Sequence, residues 1–129
     1  MATPYLRILI VDDQLLQSVY IEKLFNSNGY YRVAPVASFN EFLLLASQAI
    51  DKFDLVVLNG AIKGCTPARL EEVQQNCSSI GYILIYGARI AGTANSGTVG
   101  ERQAVIELSG VPGIESIKTV MQSVDPRKN

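Results

Sequence analysis

Asp12, Asp13 and Asn59 are the side chains whose types and spacing best fit chemistry at a single site. The two carboxylates follow the apolar run 6–11, and the amide follows the apolar run 55–58. Paired carboxylates at such a position could bind a cation, or they could solvate the strand end and cap a helix, and by residue type alone the second role is favoured. Asn59 is a very poor nucleophile, because its amide is neutral and the nitrogen lone pair is delocalised. The sequence has no histidine, which removes the commonest general base and metal ligand.

Apolar runs that end in polar or turn-forming residues predict the strands that position these side chains. The run 53–58, followed by Asn59 and Gly60, is typical of a strand that is buried on both faces. Segments with helical spacing separate the runs, and strands that alternate with helices imply a parallel sheet with right-handed crossovers. The predicted strands are 6–11, 31–36, 53–58, 81–86 and 104–108, and the predicted helices are about 14–25, 39–51, 67–75 and 113–124, with a weaker one inside 87–100.

We therefore predict an α/β fold, a doubly wound five-stranded parallel sheet in the order 2-1-3-4-5 with helices on both faces. In such a sheet, the point where the strand order reverses lies between strands 1 and 3, at the carboxyl ends of the strands. Asp12, Asp13 and Asn59 should converge there. We expect one domain over 1–124, followed by a polar tail or the start of a linker at 125–129.

Local signals predict where the helices begin. Asp13 can cap the first helix, and Ser38 with Glu41 forms a capping box for the second. Thr66 followed by Pro67 is typical of a cap and a first helical position. The residues at helical spacing are Leu16, Tyr20 and Leu24 in the first helix, Phe42, Leu45, Ala46 and Ala49 in the second, and Ile114, Ile117, Met121 and Val124 in the last.

The stretch 87–100 is rich in glycine and small polar residues. Each interior glycine costs a helix about 1 kcal/mol relative to alanine. We therefore expect any helix in this stretch to be short, distorted or mobile.

The composition is that of an ordinary soluble domain. The chain has 129 residues, 48% hydrophobic and 18% charged, with a formal net charge of −1. Its basic residues are scattered, which argues against nucleic-acid binding. No apolar run approaches the roughly 20 residues of a membrane span, and the N-terminus lacks a signal-peptide pattern. Cys65 and Cys77 have neither metal nor redox spacing, so we interpret both as reduced thiols of a cytoplasmic protein.

The sequence resembles a receiver domain of a bacterial response regulator over about 5–124. The motifs that carry the resemblance are ILIVDD at 8–13, FDLVVLN at 53–59 and IKG at 62–64. In that family, two paired acids and a third Asp bind magnesium, and the third Asp accepts a phosphoryl group from a histidine kinase. A hydroxyl after strand 4 and a lysine after strand 5 contact the phosphoryl oxygens.

The resemblance carries over to this chain only in part. It implies that Asp12 and Asp13 match the metal-binding pair. The other family positions are occupied by residues that lack the required groups, so a weak or vestigial Mg²⁺ site is the most that the resemblance implies. Asn59 stands at the phosphoacceptor position, Gly87 at the hydroxyl position, Ser109 at the lysine position and Ile106 at the position of the switch aromatic.

These substitutions predict a degenerate receiver, a pseudo-receiver, that is not an enzyme. Its expected role is signal transduction through phosphorylation-independent binding of a protein partner or output domain. In the family, the face made by the fourth helix, fifth strand and fifth helix binds partners or a second copy, so a homodimer through this face is an expectation too. Two alternatives stay open: a receiver that senses a metal ion or small molecule, and a true phosphoacceptor of a two-component system.

Overall fold

The structure is a computed structural model that describes residues 5–48, 51–76, 79–87 and 104–125. Most of the predicted Gly-rich stretch lies outside these residues, and so does the weak helix expected there. Within the described residues, no helix is long and apolar enough to cross a membrane. In chain order the elements are β1 (Ile8–Val11), α1 (Leu15–Ser27), β2 (Val33–Val36), α2 (Phe39–Gln48), β3 (Phe53–Asn59), α3 (Pro67–Asn76), β4 (Ile80–Tyr86), β5 (Ala104–Leu108) and α4 (Ile114–Val124).

The strands form one parallel sheet in the order β2-β1-β3-β4-β5, which confirms the predicted fold class and strand order. In the register, Val11 of β1 pairs with Leu58 of β3, and Asn59 of β3 pairs with Tyr86 of β4. The carboxyl ends of the three central strands therefore lie side by side at one edge of the sheet.

The sheet separates two apolar cores. Because successive side chains of a strand point to opposite faces, Val56 and Leu58 of β3 pack on one side, and Leu55 and Val57 on the other. The first core is closed by residues of α2 and α3, and the second by residues of α1 and α4. β3 is thus covered on both faces, as its continuous apolar run predicts.

The burial of α1 differs from the predicted pattern. Leu16 and Tyr20 are 83% and 49% exposed, and Leu24 alone of the predicted stripe is buried. The helix buries Ser18, Ile21 and Phe25 together with Leu24, so the spacing of Leu16, Tyr20 and Leu24 does not mark its buried face. The prediction failed because apolar residues lie all around this helix, and only the packing of Ile21 and Phe25 against the sheet selects the buried face.

The first helix also begins differently from the prediction. Asp13 does not cap α1: the residue at the cap position is Gln14, and its side chain makes no capping bond. The turn before the helix is held instead by Asp12, whose Oδ1 accepts a hydrogen bond from the Gln14 backbone N–H at 2.9 Å.

The other local signals are largely confirmed. The Ser38 Oγ accepts from the Glu41 backbone N–H at 3.0 Å, and the Thr66 Oγ1 accepts from the Arg69 backbone N–H at 3.2 Å.

The apolar stripes predicted for the last and the second helix are buried only in part. In α4, Ile114 is 45% exposed, contrary to the expected stripe. The buried apolar residues of this helix are Ile117, Val120, Met121 and Val124. Of the second predicted stripe, Phe42 and Ala46 are buried, Leu45 is 40% exposed, and Ala49 lies outside the described residues.

Asp125, the first residue of the predicted polar tail, is fully buried, and it accepts a hydrogen bond from the Tyr30 hydroxyl at 2.6 Å. This contact joins the residue after α4 to the segment between α1 and β2. The chain thus stays packed against the domain at least through Asp125, while 126–129 lie outside the described residues.

Candidate functional site

Polar side chains from three neighbouring elements meet at the carboxyl edge of the sheet. Asp12 follows β1, Asn59 is the last residue of β3, and Tyr86 is the last residue of β4. Their side chains are 2%, 5% and 1% exposed. Gln17, from the first turn of α1, reaches the same place. We refer to Asp12, Gln17, Asn59 and Tyr86 as the Asp12 cluster.

The Asp12 carboxylate accepts four hydrogen bonds, two at each oxygen. Its Oδ1 accepts from the Gln14 backbone N–H at 2.9 Å and from the Asn59 amide at 3.1 Å. Its Oδ2 accepts from the Gln17 amide at 2.8 Å and from the Tyr86 hydroxyl. An ionised carboxylate offers about four acceptor positions. All of the acceptor capacity of Asp12 is therefore used within the protein.

The hydrogen bonds determine the charge state of the Asp12 cluster. Burial raises the pKa of Asp12, but the four hydrogen bonds together lower it by more, so the pKa lies below the ordinary value of 3.8. Burial raises the pKa of the Tyr86 phenol, and the hydrogen bond to Asp12 and its charge raise that pKa further. At neutral pH the cluster thus holds an ionised acid and a protonated phenol.

Asn59 is held at both ends of its amide. The amide nitrogen donates to Asp12, and the amide oxygen accepts from the Ala61 backbone N–H at 2.9 Å. The two partners, an acceptor and a donor, permit only one orientation of the amide. The loop is fixed further by the Gly60 backbone N–H, which donates to the Tyr86 carbonyl at 2.8 Å. The side chain at the predicted phosphoacceptor position is therefore a fixed hydrogen-bonding link.

The remaining predicted site residues are not all brought together. Gly87 lies next to Asn59, since a Cβ built on it would be 3.4 Å from the Asn59 Oδ1. Asp13 is exposed, and Ser109 is also exposed, directly after β5. Ile106 is partly buried against the core that α1 and α4 cover. The edge of the sheet therefore assembles Asp12, Asn59 and Gly87, while Asp13 and Ser109 face solvent.

Sequence reasoning missed Tyr86 and Gln17. A buried tyrosine hydroxyl usually finds a polar partner, and Tyr86 ends a strand beside the point where the strand order reverses. These two facts together were a usable signal for Tyr86. No comparable signal existed for Gln17, because its contact depends on the phase of α1.

The Asp12 cluster does not fit the magnesium ion that the family resemblance implies. Mg²⁺ needs oxygen ligands with free lone pairs, whereas all acceptor positions of Asp12 already hold donors. Asn59 turns its amide hydrogens, not its oxygen, toward the carboxylate. Among the residues that the structure describes, no group of three or more His, Cys, Asp or Glu side chains is arranged to hold a metal ion.

Cys65, one of the two candidate thiols, is half-buried in the loop before α3 and is not in a disulfide. Burial raises its pKa to about 11, although the nearby Arg69 charge opposes the rise. The thiol is therefore protonated at neutral pH and poorly reactive. Cys77 lies outside the described residues.

Comparison with known proteins identifies the fold. No family model matches the sequence, and no curated protein matches it. Among solved structures, the chain is similar to the crystal structure of a response regulator receiver domain protein from Bacillus halodurans, with a TM-score of 0.67 and 16% sequence identity. The similarity covers 95% of this chain and 97% of the other. The chain therefore has the fold of a receiver domain.

Proposed function

We propose that this chain is an atypical receiver domain that acts in signal transduction by binding another protein, without phosphorylation and without enzymatic activity. The observation that carries the proposal is the state of Asn59. Its neutral amide is hydrogen-bonded at both ends, to Asp12 and to the Ala61 backbone. A phosphoryl acceptor needs an anionic oxygen that is free to attack in line, and Asn59 has neither property.

The neighbouring positions support the same conclusion. Gly87 has no hydroxyl, and Ser109 is an exposed residue without an ammonium group. Donors that stabilise developing charge at a reacting centre are each worth about 3–4 kcal/mol of barrier. The loss of nucleophile, hydroxyl and ammonium together leaves no group to drive phosphoryl transfer by the family's route.

The described surface supports a role in protein binding. Four large apolar side chains of α1 are exposed, and positions three and four apart are neighbours on a helix surface, so they form a continuous stripe. Contiguous exposed apolar patches on soluble domains often mark interaction sites. The stripe consists of Leu15, Leu16, Val19 and Tyr20.

A mass measurement tests the absence of phosphoryl transfer. The chain is incubated with acetyl phosphate and MgCl2 and its intact mass is determined, beside a receiver domain that carries an Asp acceptor. We expect the comparison protein, but not this chain, to gain about 80 Da, the mass of one phosphoryl group. An adduct on this chain would establish a true phosphoacceptor and overturn the proposal.

A binding measurement tests the positive part. A partner recovered from cell extract is purified, and its Kd for the chain is measured with and without acetyl phosphate and MgCl2. We expect the two Kd values to be equal, because no group at the edge of the sheet changes its charge. A Kd that changes with phosphorylating conditions would contradict phosphorylation-independent binding.

A further inference from the structure

We propose that the Tyr86 hydroxyl and the Asn59 amide are built-in substitutes for a divalent cation at Asp12, so that this edge of the sheet is complete without an ion and excludes one. A cation at such an edge would neutralise the buried carboxylate and tie β1 to β3. Here hydrogen-bond donors perform both tasks. Asn59 links β3 to Asp12, and Tyr86 links β4 to it.

The exclusion follows from the number of donors and from their burial. Asp12 is 2% exposed and accepts from Gln14, Gln17, Asn59 and Tyr86. An ion could reach an oxygen of Asp12 only by displacing one of these donors. If the displaced donor were Asn59 or Tyr86, it would then be a buried polar group without a partner, which is unfavourable.

Tyr86 is the donor that can least easily move aside. Its ring is 1% exposed and belongs to the apolar core that α1 and α4 cover. Its backbone is paired with Asn59 on one side and with Leu108 on the other. The hydroxyl cannot leave Asp12 unless the ring leaves the core, where side chains are close-packed. The Tyr86 hydroxyl therefore stays hydrogen-bonded to Asp12 Oδ2 in the folded protein.

This inference and the proposed function both rest on an unreactive carboxyl edge of the sheet. The inference also predicts how the chain responds to metal ions, which the proposed function does not. The experiment that tests it follows unfolding of the isolated chain and involves no partner and no phosphoryl donor. If the Mg²⁺ prediction fails, the proposal of partner binding still stands. If partner binding fails, the result of the Mg²⁺ experiment still stands.

The test compares urea unfolding midpoints with and without about 10 mM MgCl2, some tenfold above the weakest dissociation constants of protein Ca²⁺ sites. NaCl of equal ionic strength replaces MgCl2 in the reference samples. The variants are Tyr86→Phe and the double variant Asn59→Asp with Tyr86→Phe. Tyr30→Phe is the matched control, because it removes another buried tyrosine–aspartate hydrogen bond, the one between Tyr30 and Asp125.

We expect MgCl2 to leave the midpoints of the unmodified chain and of Tyr30→Phe unchanged. The double variant should gain a clear Mg²⁺-dependent rise, because it frees two acceptor positions of Asp12, one on each oxygen, and supplies a second carboxylate. A Mg²⁺-dependent rise in the unmodified chain would overturn the inference, and so would a double variant that does not respond to Mg²⁺. If the double variant does not fold, Tyr86→Phe alone decides: its midpoint must respond to Mg²⁺ more than that of the unmodified chain, and an equal response overturns the inference.

Discussion

At the scale of single residues, Asn59 differs from an aspartate in one atom of its side chain, a nitrogen in place of an oxygen. An oxygen of a carboxylate at position 59 would be an acceptor and a nucleophile, whereas the Asn59 nitrogen is a donor that Asp12 needs. The sequence predicts the loss of the nucleophile, because that depends only on residue type. It does not predict the donor role of Asn59, because that depends on how the amide is oriented between Asp12 and Ala61.

The stabilising effect of Tyr86 can be measured by removing its hydroxyl. Tyr86→Phe leaves one acceptor position of the buried Asp12 carboxylate unsatisfied, so we expect the free energy of unfolding to fall by about 1–3 kcal/mol. Urea unfolding at neutral pH measures the change. Tyr20→Phe serves as the control, because Tyr20 is 49% exposed and should lose less than about 0.5 kcal/mol. Equal losses in the two variants would contradict the importance of the Asp12 cluster.

The lowered pKa of Asp12 predicts a pH dependence of stability. A carboxyl group with a folded-state pKa below its unfolded value of 3.8 stabilises the fold at higher pH. This stabilisation is lost as the pH falls through the folded-state pKa. We therefore expect the stability difference between the unmodified chain and Asp12→Asn to be largest near neutral pH and to shrink on acidification, as measured by urea unfolding from pH 7 to below the pKa. A difference that is constant over this range would contradict the lowered pKa.

A hydroxyl introduced at position 87 should destabilise the fold. Gly87 has a φ of +72°, and an added Cβ would lie 3.4 Å from the Asn59 Oδ1. A side chain in this left-handed region costs about 1–2 kcal/mol, so Gly87→Ser should lower the free energy of unfolding by about that amount. Gly110→Ser is the matched control, because a Cβ there would meet no atom within 4 Å. If both variants are equally stable, the backbone at Gly87 is not strained by a side chain.

At the scale of elements, the sequence predicts which segments form but not how α1 is turned. The central strands β1 and β3 were predictable because each contains four consecutive apolar residues, 8–11 and 55–58, next to polar or turn-forming residues, a pattern typical of buried strands. In α1, apolar residues occur on every side, so their spacing does not distinguish the buried face from the exposed one. Packing against the sheet makes that choice, and it leaves Leu16 in solvent while Ile21 is fully buried.

Two substitutions in α1 test this orientation. Leu16→Ala should change the free energy of unfolding by less than about 0.5 kcal/mol, because Leu16 is 83% exposed. Ile21→Ala should cost about 2–5 kcal/mol, because it opens a cavity in the core. Urea unfolding of both variants measures the difference. A larger loss for Leu16→Ala than for Ile21→Ala would mean that the helix is turned the other way.

At the scale of the whole molecule, the alternation of strands and helices was enough to predict the order of the sheet. Right-handed crossovers and the placement of helices on both faces leave few arrangements for such a chain. The edge at which Asp12 and Asn59 meet follows from that order. The involvement of Tyr86 does not follow, because it requires the register of β4 against β3, which places Tyr86 opposite Asn59.

The partner-binding surface is a prediction at the same scale. The expected face includes β5, α4 and the stretch 92–100. The helix α4 corresponds to the fifth helix of the prediction, and 92–100 lie outside the described residues. Replacing 92–100 with a short linker should abolish partner binding and leave the urea midpoint unchanged. Leu16→Glu on the α1 stripe is the companion variant for the binding assay. Binding that survives the linker but is lost in Leu16→Glu would assign the partner to α1.

The first turn of α1 carries Gln17 on one side and the exposed Leu15 and Leu16 on the other. It therefore connects the outer surface of the helix with the Asp12 cluster. Any shift of this turn would alter the hydrogen bond from Gln17 to Asp12, and with it the surroundings of the Tyr86 ring. The chain contains no tryptophan, so its near-ultraviolet circular dichroism arises mainly from tyrosines. Events on the outer surface of α1 therefore have an intrinsic optical reporter inside the protein, which can be read without any attached label.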